Sequence, residues 1–166
     1  KDNDTYYFTS YSHTSIHRTM LADVPRTSSY ERSIALNPSL FGPGSVVVDV
    51  GCGTGVLCHF AARAGCDTCY GVDDSNLLPT SQAIREENGV GSDRIVFVKA
   101  KAEDAVLPEK ADVVVSEWMG YGLLYETMLP SVISVRDRHM KEGGTMWPNG
   151  AALFLEGAKE GGGGFW

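Results

Sequence analysis

The run VVVDVGCGTGVLCHFAARAG, residues 46–65, narrows the folds open to this chain more than any other stretch. Four valines around a single aspartate read as a strand buried on both faces, because a half-exposed strand would alternate apolar and polar residues. Gly51, Gly53 and Gly55 then break the strand, and a helix with an apolar face follows at once. A buried strand that enters a helix through a glycine turn opens a parallel α/β sheet. In such a sheet the turn lies at the carboxyl edge, where ligands bind.

The downstream pattern continues the alternation. CYGVDD (69–74) reads as a second strand, 76–88 as a helix, RIVFVKA (94–100) as a third strand and ADVVVSEW (111–118) as a fourth. A helix is expected from about Tyr125 to Arg138, then GGTMWP as a fifth strand or turn. The fold predicted is α/β, a doubly wound parallel sheet. Ahead of it, residues 3–37 read as aromatic, amphipathic helices: Ser12 caps one carrying Ile16, His17, Met20 and Leu21, and Pro25 sits in the first turn of the next. Asn37 and Pro38 stop that helix, and FGPGS forms the joint. The expected units are an N-terminal helical lid (1–42), a cofactor-binding domain (43–150) and a further segment (151–166).

At 166 residues, 43% hydrophobic and 21% charged, the chain suits one sizeable core. The net charge of −7 argues against a phosphate-binding surface and for neutral or cationic partners, with a simply solvated acidic surface an equal reading. Direct nucleic-acid binding is not expected. No apolar run approaches the roughly 18 residues that cross a bilayer, so no membrane partner is expected either. Cys66 and Cys69 have C-x-x-C spacing, but a structural zinc needs a second ligand pair. All four cysteines read as small buried residues, and no metal site is expected.

The glycines are spaced G-x-G-x-G, with Val56 where a dinucleotide fingerprint would carry its third glycine, which disfavours NAD. Asp73 ends the second strand about twenty residues after the turn, where a carboxylate can meet two ribose hydroxyls. Asp74 is the neighbouring alternative. Glu103, beyond the third strand, is either a partner for an adenine amino group or an exposed loop acid. In SEWMGYGLLYE, Glu117 and Glu126 flank a mostly apolar loop. Two carboxylates facing one pocket repel unless a cation lies between them, and a planar guanidinium offers each acid one edge. Paired acids also serve glycoside hydrolysis and metal sites, but neither explains the glycine turn.

YYFTSYSHTSIHRTML, DVPRTSSYERSI, VVVDVGCGTGVL and SEWMGYGLLYE together resemble, in order, the motif series of the protein arginine methyltransferases, over about Tyr6 to Glu156. The resemblance implies a Rossmann-like core that uses S-adenosyl-L-methionine and releases S-adenosyl-L-homocysteine. It implies that Gly51, Gly53 and Gly55 form the cofactor turn and that Glu103 contacts adenine, while Asp73 stands where most members carry glutamate. Arg26 would hold the cofactor carboxylate. Phe8, Tyr11, His17 and Met20 would line a lid over cofactor and substrate, although periodicity alone makes Phe8, His17 and Met20 core residues of an amphipathic helix. Tyr121 and Met128 would complete the substrate pocket, and Glu117 and Glu126 would hold and orient the guanidinium. Met20 and Met128 match the type I, asymmetric-dimethylating class, and SEWMGYGLLYE is most similar to its sixth-type, nuclear member.

Further implications concern partners. They would be Arg-rich proteins such as histone tails and Arg/Gly-rich chains, in nucleus or cytoplasm. Family members continue into a β-barrel with a T-H-W loop and a dimerisation arm, and full-length members homodimerise. GGGGFW resembles the start of that barrel, so 151–166 reads as its truncated beginning, and Asp23 would lack its loop histidine. The lid is expected to be mobile without cofactor, with Arg26 as its latch. Two other readings remain open: a cofactor-binding fragment that recruits Arg-rich partners without turnover, and a methyltransferase for another substrate.

Overall fold

The valine-rich run forms β1 (Val46–Val50), and all five of its residues are buried. In the computed structural model, which describes residues 14–125 and 128–157, this strand is the centre of a five-stranded sheet. The other strands are β2 (Thr68–Asp73), β3 (Ile95–Lys99), β4 (Ala111–Val115) and β5 (Met140–Trp147). Their order is β3-β2-β1-β4-β5 and every pairing is parallel. Successive strands step away from β1 in one direction up to β3, then in the other from β4. The reversal leaves a crevice at the carboxyl ends of β1 and β4, the position such sheets use for ligands.

The helices are α1 (Thr14–Ala22), α2 (Val24–Ala35), α3 (Pro38–Phe41), α4 (Val56–Ala64), α5 (Leu78–Glu87) and α6 (Leu129–His139). They leave two apolar layers, one on each face of the sheet. On one face Val47, Val113 and Val115 pack with Ile34, Phe41, Leu57, Cys58 and Ala61. On the other, Val48, Val50 and Val114 pack with Tyr70, Val72, Trp118, Val132 and Val135. Alternation along β1 and β4 thus sends successive valines to opposite layers, which is why the sequence shows no polar face. All four cysteines are buried free thiols, as small core residues would be.

Two differences from the expected boundaries have local causes. First, α6 begins at Leu129 and not at Tyr125, because Tyr125 is engaged in a tight turn, its N–H bonded to the Tyr121 carbonyl at 3.2 Å. Second, β5 starts at Met140, directly after α6. A bulge between the pairs Ala111–Met140 and Val113–Thr145 absorbs the extra residues, with Gly143 at φ +78°. Ahead of β1, α2 and α3 pack on the core of the sheet, where Ile34 and Phe41 are both 0% exposed. Apolar side chains from these two helices bury area against Val47 of β1 and Val113 and Val115 of β4.

No helix among the described residues is long and apolar enough to cross a membrane.

Candidate active site

The turn after β1 is held in a conformation that glycine alone adopts without strain: φ is +72° at Gly51, +52° at Gly53 and +83° at Gly55. Side chains from distant segments close over it. A Cβ on Gly53 would lie 2.8 Å from Cε1 of His17, one on Gly55 would lie 2.8 Å from Cζ of Phe97, and one on Gly51 would collide with the Met128 methyl. His17, on α1, is buried, so this part of the N-terminal segment caps the turn directly.

Asp73, at the end of β2, faces the turn. Its Oδ2 accepts the Gly53 N–H at 2.8 Å and its Oδ1 accepts the Ser75 N–H at 2.7 Å. Each oxygen retains a second lone pair for a ligand hydroxyl. Asp74 faces elsewhere, 4.0 Å from the Lys99 ammonium. Ser81, on α5, braces the turn from below by donating its hydroxyl to the Gly53 carbonyl at 2.6 Å. Glu103 is exposed and accepts a hydrogen bond from the Ser131 hydroxyl, which ties the loop after β3 to the first turn of α6.

Glu117 leaves the end of β4 toward the same crevice. Its Oε2 lies 3.2 Å from Nη1 of Arg26, with side chains 24% and 33% exposed respectively. Arg26 is presented by the start of α2, where the Asp23 carboxylate accepts the Arg26 N–H at 3.2 Å and caps the helix. A cavity of about 40 Å³ beside this pair is lined by Leu21, Thr27, Tyr30, Leu57 and Phe60. Met20 is half-buried nearby at the end of α1, its carbonyl accepting the Asp23 N–H at 3.3 Å.

The structure therefore brings His17, Gly51, Gly53, Gly55, Asp73 and Met128 together at the turn, and Arg26 with Glu117 beside it. It does not bring Tyr121 in. That residue is 86% exposed at the tip of a turn closed by reciprocal Gly120–Leu123 hydrogen bonds of 3.1 and 2.9 Å. Positive φ at Gly122 (+56°) and Leu123 (+71°) lifts the tip into solvent. Phe8, Tyr11 and Glu126 lie outside the described residues. Among the described residues, no three His, Cys, Asp or Glu side chains converge as a metal site.

Sequence reasoning missed Asp49, Tyr30, Ser81 and Ser116. Asp49 had a signal, being the lone carboxylate in a strand of valines. It is 1% exposed, one oxygen accepts the Cys58 thiol at 3.4 Å, and the other has no hydrogen-bond partner among the described residues. Burial pushes its carboxyl up to about 7, against the Cys58 hydrogen bond and with help from the Asp73 charge. The native state then holds a proton that an unfolded aspartate releases near pH 4. Stability contributed by this group must fall as pH rises from about 4 to 7, by up to roughly 4 kcal/mol at 1.36 kcal/mol per unit. Thermal unfolding at pH 5 and pH 8 checks this: Asp49→Asn should narrow the difference between the two midpoints, and an unchanged difference would refute the assignment.

Comparison with known proteins agrees with this geometry. A family model described as a methyltransferase domain matches residues 47–144. Protein arginine N-methyltransferase 1 of Dictyostelium discoideum is 49% identical over 151 residues, covering 90% of this chain and 44% of that protein. Probable protein arginine N-methyltransferase 6 of Arabidopsis thaliana is 46% identical over 154 residues, covering 93% and 35%. Matches to the first-type and sixth-type names are thus nearly equal. Among solved structures, the Trypanosoma brucei PRMT1 enzyme-prozyme heterotetrameric complex with AdoHcy superposes with a TM-score of 0.80 at 45% identity, over 84% of this chain and 43% of that one. The chain spans less than half the length of these relatives. By the domain match, and by relatives aligned along nine-tenths of its length, the chain belongs to the methyltransferase-domain family, in the company of the protein arginine N-methyltransferases.

Proposed function

We propose that this chain is the cofactor-binding core of an enzyme that transfers methyl groups from S-adenosyl-L-methionine to guanidinium nitrogens of arginine residues in proteins. The observation that carries the reading is the Arg26–Glu117 contact, 3.2 Å from guanidinium to carboxylate, beside a glycine turn. A carboxylate at this edge already receives a planar cation of the substrate's kind. The cofactor fits the turn: positive-φ glycines leave no Cβ to obstruct it, and Asp73 keeps lone pairs for ribose hydroxyls. When bound, the cofactor supplies a methyl group on a sulfonium centre.

The remaining work falls to this chain. Arginine keeps its proton at neutral pH, its guanidinium titrating far above that range, so Glu117 contributes by position and charge. Its carboxylate orients the guanidinium and draws positive charge toward the bound edge, leaving another nitrogen the better nucleophile. Half-buried surroundings strengthen the ion contact. Glu126 is the second carboxylate of this reading. The products are monomethyl and asymmetric dimethyl arginine, and the substrates are Arg-rich segments, histone tails and Arg/Gly-rich proteins among them, in nucleus or cytoplasm. In this reading residues 151–166 begin a substrate domain, and the complete protein assembles as a homodimer.

The test is transfer of labelled methyl from S-adenosyl-L-methionine to an Arg-Gly-rich peptide and to its Lys-for-Arg version. Transfer to the arginine peptide alone is expected. Equal labelling of both would overturn arginine specificity, and cofactor binding without transfer would indicate a recruiting module. Arg26→Ala should weaken S-adenosyl-L-homocysteine binding by roughly ten- to thirtyfold, just below the range for a fully buried charge pair, because a third of the side chain faces solvent. Calorimetry that finds unchanged affinity would remove Arg26 from the cofactor site.

A further inference from the structure

Three hydrogen bonds converge on Ser116, the residue immediately before Glu117. Its N–H donates to the Trp147 carbonyl at 3.0 Å, its hydroxyl donates to the Val50 carbonyl at 2.7 Å, and its own carbonyl accepts the Tyr30 hydroxyl at 3.0 Å. Ser116 is 1% exposed. The carbonyl that Tyr30 holds belongs to the same planar unit as the Glu117 nitrogen, so fixing that oxygen fixes the plane carrying Glu117 N and Cα. The Val50 carbonyl stands in the same relation to Gly51, the first residue of the glycine turn.

Tyr30 lies one helical turn beyond Arg26 on α2, and residues four apart share a helix face. One face of α2 thus grips Glu117 twice, Arg26 at its carboxylate and Tyr30 at the peptide that aims it. Burial pushes the Tyr30 hydroxyl far above its ordinary range, with the Glu117 charge adding to the effect, so it stays a donor at every working pH.

Resting on the methyltransferase reading above, we propose that Tyr30 is a positioning residue for methyl transfer: through the Ser116 carbonyl it sets the direction in which Glu117 meets the substrate guanidinium. Without that bond the Ser116–Glu117 peptide can rotate, and Glu117 keeps its charge but loses its aim. A misplacement of about 1 Å in such geometry can cost a hundredfold in rate.

The experiment uses the intact protein with Tyr30→Phe, which removes one hydroxyl and leaves the ring packing. We expect kcat for an Arg-Gly-rich peptide to fall about tenfold or more, with the affinity for S-adenosyl-L-homocysteine and the thermal midpoint nearly unchanged. Ser33→Ala is the comparison: on the same helix, the Ser33 hydroxyl accepts the Trp147 indole N–H at 2.9 Å and donates to the Tyr30 carbonyl at 3.3 Å, so it tethers α2 without touching Ser116 or Glu117, and its loss should leave kcat in place. Undiminished kcat in Tyr30→Phe overturns the proposal. So does an equal fall in Ser33→Ala, or a fall accompanied by a matching drop in thermal midpoint, since either makes the bond a general tether of α2. A parent protein that binds S-adenosyl-L-homocysteine yet methylates no arginine peptide overturns the underlying reading itself.

Discussion

Glu117→Gln is expected to lower kcat for methyl transfer to an Arg-Gly-rich peptide by about a hundredfold to a thousandfold, the loss typical of removing one preorganised electrostatic contact from a reacting centre. Glutamine preserves the shape of the side chain, so the loss isolates charge. The carboxylate is three-quarters screened from solvent and lies 3.2 Å from Arg26, conditions under which a guanidinium contact is worth more than on an open surface. Affinity for S-adenosyl-L-homocysteine should change little, because the glycine turn and Asp73 are untouched. Single-turnover transfer of labelled methyl makes the measurement, and a rate within threefold of the parent would remove Glu117 from the reaction.

The second large effect concerns stability. Phe41→Ala should cost about 3–5 kcal/mol, the range for deleting a fully buried aromatic ring. Phe41 is 0% exposed, and its ring meets Trp147 edge to face, with centroids 5.9 Å apart and planes at 85°. That pair joins α3, ahead of the sheet, to the last residue of β5. Denaturant unfolding of the intact protein provides the reading. A cost below about 1 kcal/mol would mean that residues before β1 form a separable arm.

The sheet was legible because its strands are buried on both faces and announce themselves as valine runs, and because glycines mark the turn that follows β1. The attachment of α2 and α3 to the core was not legible, since Ile34–Leu36 and Leu40–Phe41 are short apolar clusters split by Asn37 and Pro38 and give no strong period. Asp73 could be placed at the turn from spacing alone. Its hydrogen bonds to Gly53 and Ser75 could not, because they depend on backbone N–H groups that every sequence has. Tyr30 and Ser116 escaped for the same reason, as each acts on main-chain atoms. Tyr121 is the reverse case: the motif suggested a pocket residue, and the Gly120–Leu123 turn carries it outward.

The reversal of strand order between β1 and β4 divides the crevice into two independently encoded walls. In the proposed reading, most of the donor-side wall is written in residues 51–103, with His17 and Met128 closing over it, whereas the acceptor-side carboxylate Glu117 comes from the stretch after β4, more than a dozen residues later. A change of acceptor can therefore be written into the second stretch while the first continues to hold the same donor. For an engineer seeking a new methyl acceptor under that reading, the loop from Trp118 to Tyr125 is the segment to vary and α2 the one to leave alone, since its Arg26 and Tyr30 hold Glu117.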